Sequence, residues 1–237
     1  MCTVTYLPTT NGFYLNSNRD ELISRSVGEI SELKTANQTS IYFPKDPISG
    51  GSWMATSNTG RTAIVLNGAF KAHQRKANYA KSRGLILLEM MESQHLNVFF
   101  KEHNFQEIEP FTFVIFDKNK LIDFRWDGET KHFQELPIDK PIIWSSCMLY
   151  DELAKNKRKT WLEKWLRNYP NYTYKDVLYF HKYSGDGDLA NDIQMKRGKD
   201  LRTISISSII KNNNDVEIIH QDLIGNSIDQ KNFTINI

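Results

Sequence analysis

The feature that most constrains this chain is the order in which its hydrophobic periodicity changes. Thr3 to Leu7 is rich in β-branched and aromatic residues. Asn11-Gly12 is a hairpin turn signal, and Phe13 to Leu15 is its return strand. Gly50-Gly51 opens a second strand at Ser52 to Thr56, and Thr62 to Leu66 follows as a short apolar strand. The period then becomes helical near Ala80 and stays so through Leu85 to Met91. Phe111 to Phe116 and Leu121 to Trp126 form another hairpin. Asp151 to Leu166 is an amphipathic helix with Leu153, Trp161, Trp165 and Leu166 on its buried side, and Asp151 caps it. Tyr172 to Tyr183 reads as a second helix. Strands return at Thr203 to Ile210, Val216 to His220 and Phe233 to Ile237. This order favours antiparallel sheets with helices packed outside, an α+β layered sandwich, over a parallel βαβ fold.

Composition narrows the function classes. Hydrophobic residues make up 40% of the 237, enough for a core, and no Pro/Gly/Ser linker divides the chain, so residues 1–237 read as one domain. A formal net charge of +2 is far from the footprint of a nucleic-acid binder. No apolar run approaches the length of a membrane span, and the first twenty residues hold no signal-peptide pattern. Cys2 and Cys147 are the only cysteines. They imply no disulfide framework, so a cytoplasmic location is the default expectation. The six histidines form no zinc spacing, and no metal or other cofactor is called. The five tryptophans read as core, with Trp53, beside Gly51, a candidate pocket wall.

Cys2 carries the sharpest chemistry. Aminopeptidases remove Met1 when the next side chain is small. The product has a thiol and a free α-amine on one residue. Their ordinary pKa values, about 8.5 and about 7.7–8.0, let the amine serve as base toward its own thiol near neutral pH. The plain alternative is a small residue at the start of an edge strand. Asn18-Arg19-Asp20-Glu21 follows the return strand. Pairing of 3–7 with 13–16 would bring Arg19 or Asp20 towards Cys2, where a guanidinium would favour the thiolate and a carboxylate could hold the amine. A solvated loop is the competing reading.

Met1-Cys2-Thr3, Asn18-Arg19-Asp20-Glu21, Gly50-Gly51-Ser52-Trp53 and Asn67 at a strand end together resemble the NRDE family, also called the transport and Golgi organisation protein 2 family. Arg202-Thr203 and Ser205 match it more weakly. The resemblance implies an N-terminal nucleophile (Ntn) hydrolase domain: an αββα sandwich of two antiparallel sheets with outer helices. More distantly the chain is similar to penicillin V acylases and bile salt hydrolases, which cleave linear amide C–N bonds. Carried over, Cys2 is the nucleophile, Arg19 tunes the thiolate or binds substrate, Asp20 anchors the α-amine, and Asn67 donates to the oxyanion. Asn18, Trp53 and Arg202 become substrate contacts. The acylases separate their Arg and Asp by two residues, whereas these are adjacent and in a strand would face opposite ways. The acylases' later Asn has no counterpart in Trp144-Ser145-Ser146-Cys147. The implied reaction is hydrolysis of a small acylated amide through a thioester. The alternative is a non-catalytic binder or chaperone of a hydrophobic ligand, haem or an acyl lipid. The basic segment Lys71 to Lys76, with Lys81 and Arg83, could receive an anionic tail such as a carboxylate, phosphate or coenzyme A, or be a solvated face.

Overall fold

In the computed structural model, which describes residues 3–25 and 28–235, the Asn11-Gly12 signal does form a hairpin. β1 (Thr3–Thr9) and β2 (Gly12–Leu22) pair antiparallel, with Thr9 opposite Gly12 and Thr3 opposite Asn18. β2 is long because it is central. Its other edge pairs with β12 (Leu201–Asn212), which leads to β13 (Asp215–Asp222) and β14 (Ser227–Thr234). β10 (Ile142–Ser145) closes the sheet beside β1, and β11 (Lys196–Arg197) pairs with the start of β12. The second sheet runs in sequence order: β3 (Ile30–Lys34), β4 (Ser40–Pro44), β5 (Met54–Ser57), β6 (Thr62–Asn67), β7 (Phe111–Asp117), β8 (Lys120–Trp126) and β9 (Lys131–Leu136).

The helices are α1 (Arg83–Glu92), α2 (Leu96–Glu102), α3 (Glu152–Asn168) and α4 (Tyr174–Tyr183). α1 rests on β5 and β6, while α3 and α4 rest on β10 and β2. The layers are therefore helix, sheet, sheet, helix, the αββα sandwich. The sheets meet through alternate residues such as Val4, Phe13, Leu15 and Ile218, and Phe13 reaches across to Phe116 at 4.6 Å between ring centroids. The outer face of the first sheet buries Leu7 against Leu162, Trp165, Val177 and Phe180 of α3 and α4. The starts of α1, α3 and α4 are locally encoded. Ser82 and Asp151 accept from the backbone N–H groups of Leu85 and Ala154, and Thr173 with Asp176 forms a capping box.

Some expectations shift. The first helix begins at Arg83, just after its Ser82 cap, instead of near Ala80. Leu153, expected inside, is 69% exposed, because α3 buries Ala154, Arg158, Leu162 and Trp165. At about 100° per residue, Leu153 falls outside that stripe. The last strand is Ser227–Thr234 where Phe233 to Ile237 was expected, and residues 236–237 lie outside the described ones. β3, β9 and β14 are edge strands with no fully buried side chain, so their polar sequences carry little period-2 signal. Among the described residues no helix is long and apolar enough to cross a membrane.

Candidate active site

The four-residue motif lies at the end of β2, and the strand's alternation divides it between two faces. Arg19 points between the sheets. Its guanidinium lies 4.5 Å above the Trp53 ring, and its Nη2 donates to Asp46 at 2.8 Å. Arg25 grips the same Asp46 at 2.9 Å. Burial alone would raise Asp46, but the backbone N–H of Ser49 and the two guanidiniums hold its pKa below the usual carboxylate value.

Trp53 is itself held from behind. Its Nε1 donates to Ser207 Oγ at 3.1 Å, and Ser207 Oγ lies 2.8 Å from His220 Nδ1. An indole can only donate, so Ser207 Oγ accepts from Trp53, and the tautomer of His220 sets which of Ser207 Oγ and Nδ1 donates in the second bond. Burial, with the nearby Arg19 cation, pushes His220 down to about 4 against the pull of Asp222 and Asp229. The ring does not charge near neutrality.

Asp20 faces the other way, under the helices. It accepts from Tyr150 Oη and Thr203 Oγ1, both at 2.6 Å. Opposite it, the register of β12 slips between Thr203 and Ser205. Burial raises the Asp20 pKa, opposed by Arg158 and the two hydroxyls. Arg158, fully buried, stacks 3.4 Å over the Tyr150 ring. It donates to Thr3 Oγ1 at 2.6 Å, the Asp192 carbonyl at 2.7 Å and the Asn191 carbonyl at 3.0 Å. It thus ties α3 to the first described residue of β1.

Asn18 shares that outer face and works as a fastener. Its Nδ2 donates to the carbonyls of Ile193 (2.8 Å) and His181 (3.0 Å), and its Oδ1 meets His181 Nδ1 at 2.6 Å. His181 Nε2 reaches Thr5 Oγ1 at 2.8 Å. Burial, then Arg158, lowers this histidine to about 3.

On the inner side Arg19, Trp53 and Asn67 line one cleft of about 160 Å³ with Arg25, Arg75 and Arg83. Two backbone devices shape it. Gly50 takes φ +70°, and a Cβ on Gly51 would lie 2.5 Å from the Gly84 carbonyl carbon, so α1 can seat against this turn only if residue 51 is glycine. That closeness is the physical content of Gly-Gly-x-Trp. Gly68, at φ +79° and tight against Cys147 Sγ, turns the chain after β6, while Ser146 Oγ donates to the Asn67 carbonyl at 2.8 Å. Asn67 is thereby fixed by its backbone where it lines the cleft.

The structure therefore brings three of the expected site residues together: Arg19, Trp53 and Asn67. Asp20 and Asn18 lie across the sheet, and Arg202 lines a separate hollow with Lys196, Asp192 and Tyr183. Cys2 lies outside the described residues. The basic segment is sorted in the same way. Arg75 and Arg83 line the cleft, Lys71 and His73 line a neighbouring hollow, and Lys76 and Lys81 pair with Glu107 and Glu89. Sequence reasoning missed Asp46, Tyr150 and Arg158. Only Arg158 carried a signal, standing four residues from both Ala154 and Leu162 on the buried stripe.

Two seven-stranded antiparallel sheets between helical layers, with a cleft at the β2 end, define the Ntn-hydrolase fold. Solved structures agree. A variant of conjugated bile acid hydrolase from Clostridium perfringens superposes with a TM-score of 0.58 at 12% identity, covering 99% of this chain and 97% of that one. The Caenorhabditis elegans ortholog of N-acylethanolamine-hydrolyzing acid amidase gives 0.59 at 11%, covering 88% and 92%. No curated protein matches the sequence. The chain belongs to the Transport and Golgi organisation 2 family, whose model matches residues 1–211.

Proposed function

We propose that this chain is a cysteine Ntn hydrolase that cleaves the linear amide of a small acylated molecule. The observation that carries this reading is the convergence of Arg19 and Asn67 on one cleft of an Ntn fold, at the end of β2 that pairs with the start of β1. After removal of Met1, the Cys2 α-amine takes the thiol proton, and the thiolate attacks the amide carbon. Arg19 favours the thiolate, and Asn67 donates to the oxyanion with a backbone N–H as second donor. The C–N bond breaks, and the amine leaves with the proton held by the α-amine. Water, deprotonated by the same amine, hydrolyses the thioester and restores the thiol. Asp20, turned to the opposite face, steadies the same strand end through Tyr150 and Thr203. Trp53 supports substrate by packing, and Asn18 and Arg202 act from outside the cleft.

The lining also bears on the hydrophobic-ligand alternative. Trp53 and Val65 are its apolar side chains, and no histidine or cysteine is among its described residues. A buried haem or a whole lipid chain finds little to pack against there. The test is intact mass with brief low-dose iodoacetamide at neutral pH and peptide mapping. Loss of Met1 with selective labelling of Cys2 over Cys147, followed by turnover in an amide library, is the expected result. Met1 retained in protein from its native host, or Cys2 no faster than an ordinary thiol, would sink the reading.

A further inference from the structure

The cleft holds four guanidiniums, an unusual lining for a site reading a neutral amide. Arg19 comes from β2, Arg25 from the turn after it, Arg75 from the 68–82 connection and Arg83 from the first turn of α1. Three carboxylates hold them. Asp46 takes Arg19 and Arg25, Glu21 takes Arg25 at 3.1 Å, and Glu109 takes Arg75 and Arg83, each at 3.0 Å. Among the described residues this sets four guanidiniums against three carboxylates.

Arg75 is where that surplus can be used. It binds Glu109 through Nε alone. Its Nη1–Nη2 edge, the edge that matches an oxyanion with two parallel N–H bonds, carries no bond to a described residue. Glu109 is only 12% exposed, whereas the Arg75 side chain is 61% exposed. The carboxylate is therefore a fixed anchor that aims the guanidinium instead of neutralising it in solvent. Holding Nε in advance reduces the ordering cost of gripping a ligand. Arg83 shares the anchor, and the positive end of α1 opens into the same wall.

From this geometry we propose that the cleft recognises a terminal oxyanion, carboxylate or phosphate, on its ligand, with Arg75 as the specificity-determining residue that grips it. The proposal rests on the hydrolase reading only in taking that ligand to be an amide. Three probes sharing one acyl amide separate the possibilities: N-octanoylglycine, N-octanoyl-O-phosphoethanolamine and neutral N-octanoylethanolamine. Titration calorimetry on the full chain carrying Cys2→Ala reads binding without turnover. At least one anionic probe is expected to bind about ten-fold or more tighter than the neutral one. The tighter of the two anions identifies carboxylate or phosphate as the source. Arg75→Gln, a surface change, should erase that margin and leave the neutral probe's affinity unchanged. Arg75→Lys, which keeps charge but loses the fork, should restore only part of it. Equal affinities for all three probes, no binding of either anion, or a margin that survives Arg75→Gln would overturn the proposal. Turnover of the same probes by the unaltered chain separates the two readings. Equal hydrolysis of neutral and anionic amides ends the anion reading and keeps the hydrolase. Anion-selective binding without hydrolysis does the reverse.

Discussion

Arg158→Ala should be among the most damaging single changes on the helix side of the molecule. The guanidinium is fully buried and makes three hydrogen bonds of 3.0 Å or shorter, to Thr3, Asp192 and Asn191. Bonds from a charged donor contribute about 1.5–3 kcal/mol each. They are not additive here, because the two carbonyls belong to half-buried residues that water can partly serve. Truncation also opens a cavity over Tyr150 and withdraws the cation that opposes the burial of Asp20. A cost of about 3–5 kcal/mol follows, in the range for breaking a buried charge network. Urea unfolding followed by circular dichroism gives the value directly. Arg158→Met keeps the stem and should recover the cavity part. Arg158→Lys keeps the charge but cannot serve three acceptors and should still lose about 1–2 kcal/mol. In a cycle with Asp20→Asn, the double variant should lose at least about 1 kcal/mol less than the sum of the singles. A loss below about 1 kcal/mol for Arg158→Ala, or additivity with Asp20→Asn, would refute the claim that this arginine is a buried counter-charge.

Asn67→Ala should lower kcat by roughly 10²–10³-fold with little change in stability, since the Asn67 backbone is held by Ser146 and Gly68; a steady-state assay on any amide found to be cleaved checks it. Ser207→Ala should leave the Trp53 indole N–H without its acceptor and shift tryptophan emission, while slowing iodoacetamide labelling of Cys2 as the Arg19 contact loosens; identical emission and labelling rates would show that the Ser207 bond does not position the ring. Stability should fall on acidification from about pH 6.5 towards about pH 3. His181 and His220 stay neutral in the fold with pKa values of about 3 and about 4, so in that window the unfolded chain binds more protons. Each contributes at most about 1.4 kcal/mol per pH unit. Asp46, with its lowered pKa, adds a loss at the acidic end, while Asp20, with its raised pKa, opposes the trend. Urea midpoints between pH 7 and 4 should decline more gently in a His181→Asn variant than in the parent chain, and parallel declines would count against the histidine.

The strands flanking Asn11-Gly12 were legible because β1 and β2 bury one apolar row each between the sheets. The alternation of Arg19 and Asp20 was legible too, as a geometric objection to giving both residues one partner. Far less of the support could be read. Arg158 stands in a run of lysines that looks solvated, and its burial depends on Thr3, 155 residues away, and on the 191–192 carbonyls. Asp46 precedes a proline in a loop and gains meaning only when Arg19 and Arg25 close on it. β3, β9 and β14 are edges paired on one side, so neither face demanded the apolar alternation by which strands are recognised. Leu153 failed for the opposite reason: a large apolar residue at a helix start was taken as inward when the buried stripe runs one position later.

The central strand has a consequence for how such a protein can change over generations. Residues 19 and 20 are neighbours in the gene but are separated in the fold by the thickness of a sheet. A substitution that retunes the cleft cation is screened from the helix-side anchorage by a row of backbone hydrogen bonds, and the converse holds. Two jobs that elsewhere would compete for the same few ångströms can drift independently here. A lineage can therefore swap what the cleft accepts without first relearning how to hold its own N-terminal end in place.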